Sequence, residues 1–182
     1  MKIYSCITPG YDKMRNDLLI IPPLDKFKEE VLNAKMCKIL PHFFFKDEIT
    51  VWCDGNIYLS PDNLSDLTRQ LVTYDIVVMT HPTKCVYKEA EACKIMRKDK
   101  GEKIDEQVKW YRELGYPENN GLFACGVIAR RNTKAIQRRC NEWWYHITRF
   151  SYRDQISFPV VFKDFPIGTI PFESVIINSH LK

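Results

Sequence analysis

The chain has 182 residues, 45% of them hydrophobic and 27% charged, with a formal net charge of +4. That length lets one domain bury a full core, so a single domain over residues 1–182 is expected. The apolar runs around Asp75–Met79 and over Ile156–Phe162 are too short to span a bilayer, and no apolar signal segment opens the chain, which makes a cytoplasmic location the expectation. Seven cysteines (Cys6, Cys37, Cys53, Cys85, Cys93, Cys125 and Cys140) have neither the paired spacing of a zinc ribbon nor that of a secreted disulfide framework, and they read as buried thiols. Part of the positive charge sits in Arg130, Arg131, Lys134, Arg138 and Arg139, a run that suits a polyanionic partner and equally a solvated helix face.

Lys2–Ile7 alternates with β-branched and aromatic side chains and stops at Thr8-Pro9-Gly10, so a first strand ends in a loop. Leu24, Phe27, Val31 and Leu32 fall on one helical face after Pro22-Pro23, predicting a helix from Leu24. Glu48–Cys53 is a buried strand that runs into the polar turn Asp54-Gly55-Asn56. Ser60 reads as an N-cap with Pro61 at the first helical position, followed by Leu64, Leu67 and Leu71 at helical spacing. Asp75–Thr80 is a further strand, Lys88–Met96 and Ile104–Leu114 are helices, and Gly115 sits where the second should end. Asn119-Asn120-Gly121 is a turn into the strand Leu122–Ala129, and Thr133 caps a long helix with Ile136, Cys140, Trp143, Trp144 and Ile147 on its apolar face. The order of elements predicts an α/β fold with a mostly parallel sheet sandwiched by helices, with ligands at the carboxyl ends of the strands.

Asp54 and Asn56, two residues apart at a strand end with Gly55 between them, set a carboxylate and an amide oxygen where both can face one hard cation. Mg²⁺ or Mn²⁺ held there would keep positions open for diphosphate oxygens and offset the charge on a departing nucleoside diphosphate. Asp-Gly-Asn is also an ordinary turn sequence. Thr8, Tyr11 and Asp12 after the first strand, His81 after the third, and Asn119–Gly121 before the fourth are expected on the same edge of the sheet. Arg153, Asp154 and Gln155, ahead of the apolar Ile156–Phe162, read either as a buried pair that orients a sugar and stabilises an oxocarbenium ion, or as a helix cap with a surface ion pair.

The strings KMCKILPHFFF, ITVWCDGNIYL, THPTKCVYKEAEA, the Tyr111–Leu122 segment, RRN, EWW and SYRDQISF, in this order, resemble the glycosyltransferase-like domain of plant mucilage-related proteins and of many bacterial and phage reading frames. The resemblance runs from Ile3 to about Phe162. It implies the GT-A (Rossmann-like) fold of sugar-nucleotide transferases, with Asp54 and Asn56 at the two metal-facing positions of the strand-terminal Asp-x-Asp. Asn in the second position lowers the negative charge of the site. By the same resemblance Thr8 and Tyr11 hold the nucleobase and ribose, Lys38 reaches towards the donor, and Asn120 and Gly121 line the sugar pocket. Asp154 and Gln155 match the pair near the reaction centre of retaining, glycogenin-like enzymes, which implies retention, and His180 is the candidate late histidine ligand. The expected activity is transfer from a UDP-sugar to an acceptor hydroxyl, with Mn²⁺ or Mg²⁺, Lys38 and His81 supporting the leaving group. The expected acceptor is a glycan or a modified DNA base in a bacterium or a phage-infected host. A nucleotide- or carbohydrate-binding protein without catalysis and a metal-dependent phosphoester hydrolase are the rival readings.

Overall fold

The computed structural model describes residues 1–8, 10–22 and 24–179. A six-stranded sheet is built from β1 (Lys2–Ser5), β2 (Leu19–Ile20), β3 (Ile49–Cys53), β5 (Ile76–Thr80), β6 (Phe123–Arg131) and β7 (Gly168–Ile170), while β4 (Ile57–Tyr58) and β8 (Ile176–Ile177) form a separate ribbon. The order across the large sheet is β2-β1-β3-β6-β5-β7. β1 runs parallel to β2 and β3, and β5 parallel to β7, whereas β6 is antiparallel to both its neighbours. The sheet is therefore mostly parallel, as expected, with one reversed strand at its centre. The antiparallel strand follows the Asn119–Gly121 turn, where Asn119 (φ 56°) and Gly121 (φ 91°) take up left-handed backbone.

Six helices cover this sheet: α1 (Glu30–Ile39), α2 (Pro61–Gln70), α3 (Val86–Ile95), α4 (Gly101–Glu113), α5 (Lys134–Arg149) and α6 (Asp154–Val161). Alternation along the strands sorts side chains to two cores. Trp52, Ile76, Val78 and Ile128 pack with Ile136, Trp143 and Phe158 on one face, and Val51, Cys53, Val77 and Met79 with Leu67 and Leu71 of α2 on the other. Ser60 accepts from the Asn63 amide and Asn63 returns the bond, a capping box ahead of α2; Thr133 likewise accepts from Ile136 N at the start of α5. Such a cap contributes ~1 kcal/mol, whereas each large apolar side chain buried contributes roughly 1.5–3 kcal/mol, so the stripe Ile136–Trp143–Ile147 decides where α5 lies.

The predicted start of α1 at Leu24 is corrected: the helix begins at Glu30. Residues 24–29 instead wrap around Asn33, whose Oδ1 accepts from Lys26 N and Phe27 N and whose Nδ2 donates to Phe27 O. The apolar periodicity was genuine as burial, since Leu24 packs on the core, but a side-chain amide satisfies that backbone. All seven cysteines are free and buried. Arg130 of β6, 1% exposed, donates to the carbonyls of Lys38 and Ile39 and to Tyr4 Oη. A buried guanidinium thus closes the C-terminal end of α1, where the helix dipole favours a cation.

A second buried polar chain joins α4 to α5. Gln107 Nε2 donates to Tyr111 Oη at 2.8 Å, and Tyr111 Oη lies 2.8 Å from His146 Nδ1. Burial lowers the His146 pKa from 6.5 to about 4. The unfolded chain therefore takes up a proton near pH 6.5 that the folded chain refuses until about pH 4, so stability is full above pH 6.5 and falls as the pH drops through that window. The expected loss is up to roughly 3 kcal/mol. Urea unfolding at pH 7, 6 and 5 checks this: the slope of stability against pH should flatten in His146→Gln, and an unchanged slope would assign the acid sensitivity elsewhere.

Candidate active site

The carboxyl ends of β1 and β3 open onto a cleft of about 550 Å³, walled on its other sides by α1 and by residues 152–153 ahead of α6. Thr8, Tyr11, Asp12, Lys38, Asp54 and Arg153 line it. Six of the predicted site residues thus meet in one place.

At the centre is a chain of charges. Lys35 and Lys38, one turn apart on α1, both reach Asp154 Oδ2 at 2.7 Å, and Lys38 Nζ also lies 3.1 Å from Asp54 Oδ1. Trp52 Nε1 donates to the same Asp54 oxygen at 2.6 Å. Asp154 is 4% exposed and is the first residue of α6, so the reading of this segment as a surface ion pair is corrected: Asp154 pairs in the interior, with Lys35 and Lys38. Burial opposes ionisation of Asp154, but Lys35, Lys38 and Arg153 outweigh it and hold the carboxyl far below its usual range. Burial also opposes the charge on Lys38, yet Asp154 and then Asp54 hold its ammonium above the ordinary lysine range. For Lys35 burial prevails over the pull of Asp154, and its pKa is lowered. The two lysines are therefore unequal although they share one carboxylate oxygen.

The turn that carries Asp54 is fastened from two directions. Asp54 N donates to Gly126 O at 2.8 Å, where β6 bulges and its register with β5 shifts between Val78 and Met79. A Cβ at Gly126 would begin 2.4 Å from Ile57 Cδ1 and 3.1 Å from Met79 Cε, so a side chain there would have to displace both side-chain ends. From the loop after β1, Arg15 donates to the carbonyls of Gly55 and Ile57, stacks 4.0 Å over the Tyr58 ring and pairs with Asp17. Asp12 packs on Gly55 so tightly that a Cβ there would lie 2.8 Å from Asp12 Oδ2. The loop predicted to hold a nucleotide and the turn predicted to hold a cation are thus one fastened unit.

Other predicted residues lie elsewhere. Asn56 is outside the cleft wall: its Nδ2 donates to Asn178 O, and Asn178 N donates to Asn56 O, which ties the end of β8 to the turn. His180, two positions later in sequence, falls outside the described residues. His81 Nδ1 accepts from Thr83 N, with Nε2 4.0 Å from Glu89. Gly121 N donates to Lys84 O, and Asn120 is exposed, so His81, Asn120 and Gly121 flank the end of β5 and do not line this cleft. Gln155 lies beside it, its Oε1 accepting from Arg153 Nη2 at 3.1 Å. Sequence reasoning missed Lys35, Arg15 and Tyr152. Lys35 was within reach, because its spacing of three from Lys38 puts both on one face of a helix that also buries Cys37 and Ile39.

The basic run is not a basic surface. Arg130 is buried, Arg131 pairs with Glu48 at 2.6 Å and Arg139 with Glu142 at 3.1 Å, leaving Lys134 and Arg138 as its exposed members.

The charge chain has a direct consequence for stability. Asp154→Asn leaves two buried ammonium groups without their shared counter-ion and should cost about 3–5 kcal/mol. Lys35→Met added to it should restore part of that loss, giving a coupling of roughly 1–3 kcal/mol. Urea midpoints of the two single variants and the double variant measure it, and strictly additive losses would mean that the groups do not act as a unit.

Comparison with known proteins identifies the family. The family model for the TOD1/MUCI70 glycosyltransferase-like domain matches residues 19–172. Over 141 residues the chain is 30% identical to a protein of Arabidopsis thaliana described as "Probable hexosyltransferase MUCI70"; the match covers 71% of this chain and 24% of that protein, so the chain spans about a quarter of its relative's length. No solved structure matches the chain. With the family model covering β2 through β7 and the whole charge chain around Asp154, the chain belongs to the TOD1/MUCI70 glycosyltransferase-like family.

Proposed function

We propose that the chain is a metal-dependent glycosyltransferase that moves a hexose from a UDP-sugar to an acceptor hydroxyl with retention. The observation that carries this reading is the line Lys35–Asp154–Lys38–Asp54 across the cleft, with Arg153 at its side. Ammonium and guanidinium groups placed on rigid helix ends suit the oxygens of a diphosphate and act through position and electrostatics. Asp154, held ionised between two cations, is a poor proton acceptor and serves to orient, which favours retention over a general-base mechanism.

The chain's residues fit a divalent ion as donors. Asp54 takes both of its hydrogen bonds on Oδ1, its side chain is 36% exposed, and Oδ2 faces Gly126, where a side chain is absent. Asn56 commits its amide nitrogen to Asn178, which leaves the amide oxygen as the donor atom towards a cation. Among the described residues no three His, Cys, Asp or Glu side chains converge on a metal position. The proposed set, Asp54 and Asn56 with His180, is the one the family resemblance implies. Mn²⁺ or Mg²⁺ bound there supplies charge neutralisation for the leaving diphosphate. Lys38 holds Asp54 in place and presents its own charge on the same side.

For the acceptor we favour a glycan over a DNA base, because the paired and buried arginines of the 130–139 run leave no continuous basic strip for a nucleic-acid backbone. Seven buried free thiols support the cytoplasmic reading. Among the described residues no helix is long and apolar enough to cross a membrane.

Thermal unfolding with a panel of UDP-sugars, with and without Mn²⁺, tests the proposal alongside turnover. The wild-type midpoint should rise with UDP-sugar only when Mn²⁺ is present. Asp54→Ala should lose that rise and about 10²-fold or more of its turnover while keeping its own fold. Full turnover in Asp54→Ala would sink the metal assignment. UDP-sugar binding without hydrolysis or transfer would identify a binding protein, and release of inorganic phosphate a hydrolase.

A further inference from the structure

The cleft lining is of two chemical kinds. Lys35, Lys38 and Arg153 supply charge, whereas Tyr11 and Tyr152 supply aromatic rings, with Ile7 and Thr8 also in the wall. Tyr152 lies in the segment between α5 and α6, and the proposed transfer gives it no role.

Its position is fixed by bonds that reach it from far along the chain. Tyr152 Oη donates to Lys98 O at 2.8 Å, and Tyr152 N donates to Asp99 Oδ2 at 2.9 Å. The same Asp99 oxygen accepts from Ser151 Oγ at 2.7 Å, and Ser151 is fully buried. The α3–α4 connection is thereby strapped to the segment before α6, and the ring is held at its backbone and at its hydroxyl. Tyr11, 56% exposed, comes from the loop after β1, lines the same cleft and is close enough to weigh on the ionisation of Tyr152. An aromatic ring immobilised before any ligand arrives binds a flat partner without losing rotamer freedom on contact.

We propose that Tyr152, positioned by Asp99 and the Lys98 carbonyl, is a face of the nucleobase site, with Tyr11 of the same cleft as its counterpart, so that the base stacks there while the diphosphate lies against Lys35, Lys38 and Arg153. This rests on the nucleotide-sugar reading and extends it to residues outside the β1 loop. Tyr152 touches the base; Asp99 is a positioning residue that acts through Tyr152 and Ser151. Every base has a π-face, so the stacking supplies affinity, and selection among bases is left to polar groups such as Thr8 and Asp12.

Calorimetric titration of the full chain with UDP and, separately, with inorganic pyrophosphate, each with Mn²⁺, distinguishes the aromatic part of the cleft from the charged part. Tyr152→Ala and Tyr152→Leu should weaken UDP about tenfold or more while changing pyrophosphate affinity by less than about twofold. Tyr152→Phe, which keeps the ring and loses the Lys98 tether, should weaken UDP by only about twofold to fivefold, and Asp99→Asn should fall in the same range. Equal affinity for UDP in the folded Ala or Leu variant overturns the inference, and so does an equal loss for UDP and pyrophosphate, which would mark general damage to the cleft. A wild-type chain that binds pyrophosphate but gains nothing from the uridine also overturns it while leaving the anion site intact. Wild-type protein that binds neither probe removes the nucleotide-sugar reading itself.

Discussion

The architecture of the cleft depends on one carboxylate. Asp154 lies buried at the first turn of α6 and takes the ammonium groups of Lys35 and Lys38 from α1 on a single oxygen. Helices that leave the sheet at opposite ends of the sequence are joined there, and Lys38 extends the junction to Asp54 at the end of β3. Two cations on one anion is an arrangement that burial alone would forbid. It persists because Arg130 closes the C-terminal turn of α1 from beneath, fixing the backbone from which both lysines project, and because Trp52 fixes Asp54 from its own strand.

The fold follows the same logic outward. β6 is the strand that both buries Arg130 and, through its bulge at Gly126, meets the backbone of Asp54. Two parts of the strand have different tasks: Arg130 near its carboxyl end stabilises α1, and Gly126 near its middle receives the turn.

Much of this was legible in the sequence. Strand ends before Thr8 and Asp54, the caps at Ser60 and Thr133, and the left-handed turn at Asn119–Gly121 were read from local chemistry, because the residues responsible are neighbours in the chain. The gathering of Thr8, Tyr11, Asp12 and Asp54 was legible because strand ends predict a common edge, although the same argument also drew in His81, Asn120 and Gly121, which lie outside the cleft; Lys38 was legible only through the family resemblance. What was illegible depends on distant partners. Arg130 looks like one member of a surface run until α1 packs on β6, Arg15 looks like a loop cation until its guanidinium meets the carbonyls of Gly55 and Ile57, and the α1 start was misplaced because Asn33 satisfies the preceding backbone from inside the helix. The reversal of β6 had no signal in composition, since a buried strand reads alike in either direction.

Charge balance links the cleft to its proposed chemistry. Lys35, Lys38, Lys98 and Arg153 are the cationic groups among its described lining residues and Asp12, Glu30 and Asp54 the anionic ones, and the buried Asp154 behind Lys35 and Lys38 brings this cluster to formal neutrality. Within it Lys35, Lys38, Asp54 and Asp154 pair at short range. A diphosphate entering that lining would bring negative charge into a space where Lys35 and Lys38 already share their charge with Asp154 and Asp54, so the lysines would compensate it only in part. A divalent ion on the Asp54 turn would change the sum by the amount a diphosphate requires, and would lessen the demand of Asp54 on Lys38. On the proposed reading, then, metal dependence accords with the pairing of these side chains: a diphosphate alone would unbalance the cluster, and a diphosphate entering with a cation would not.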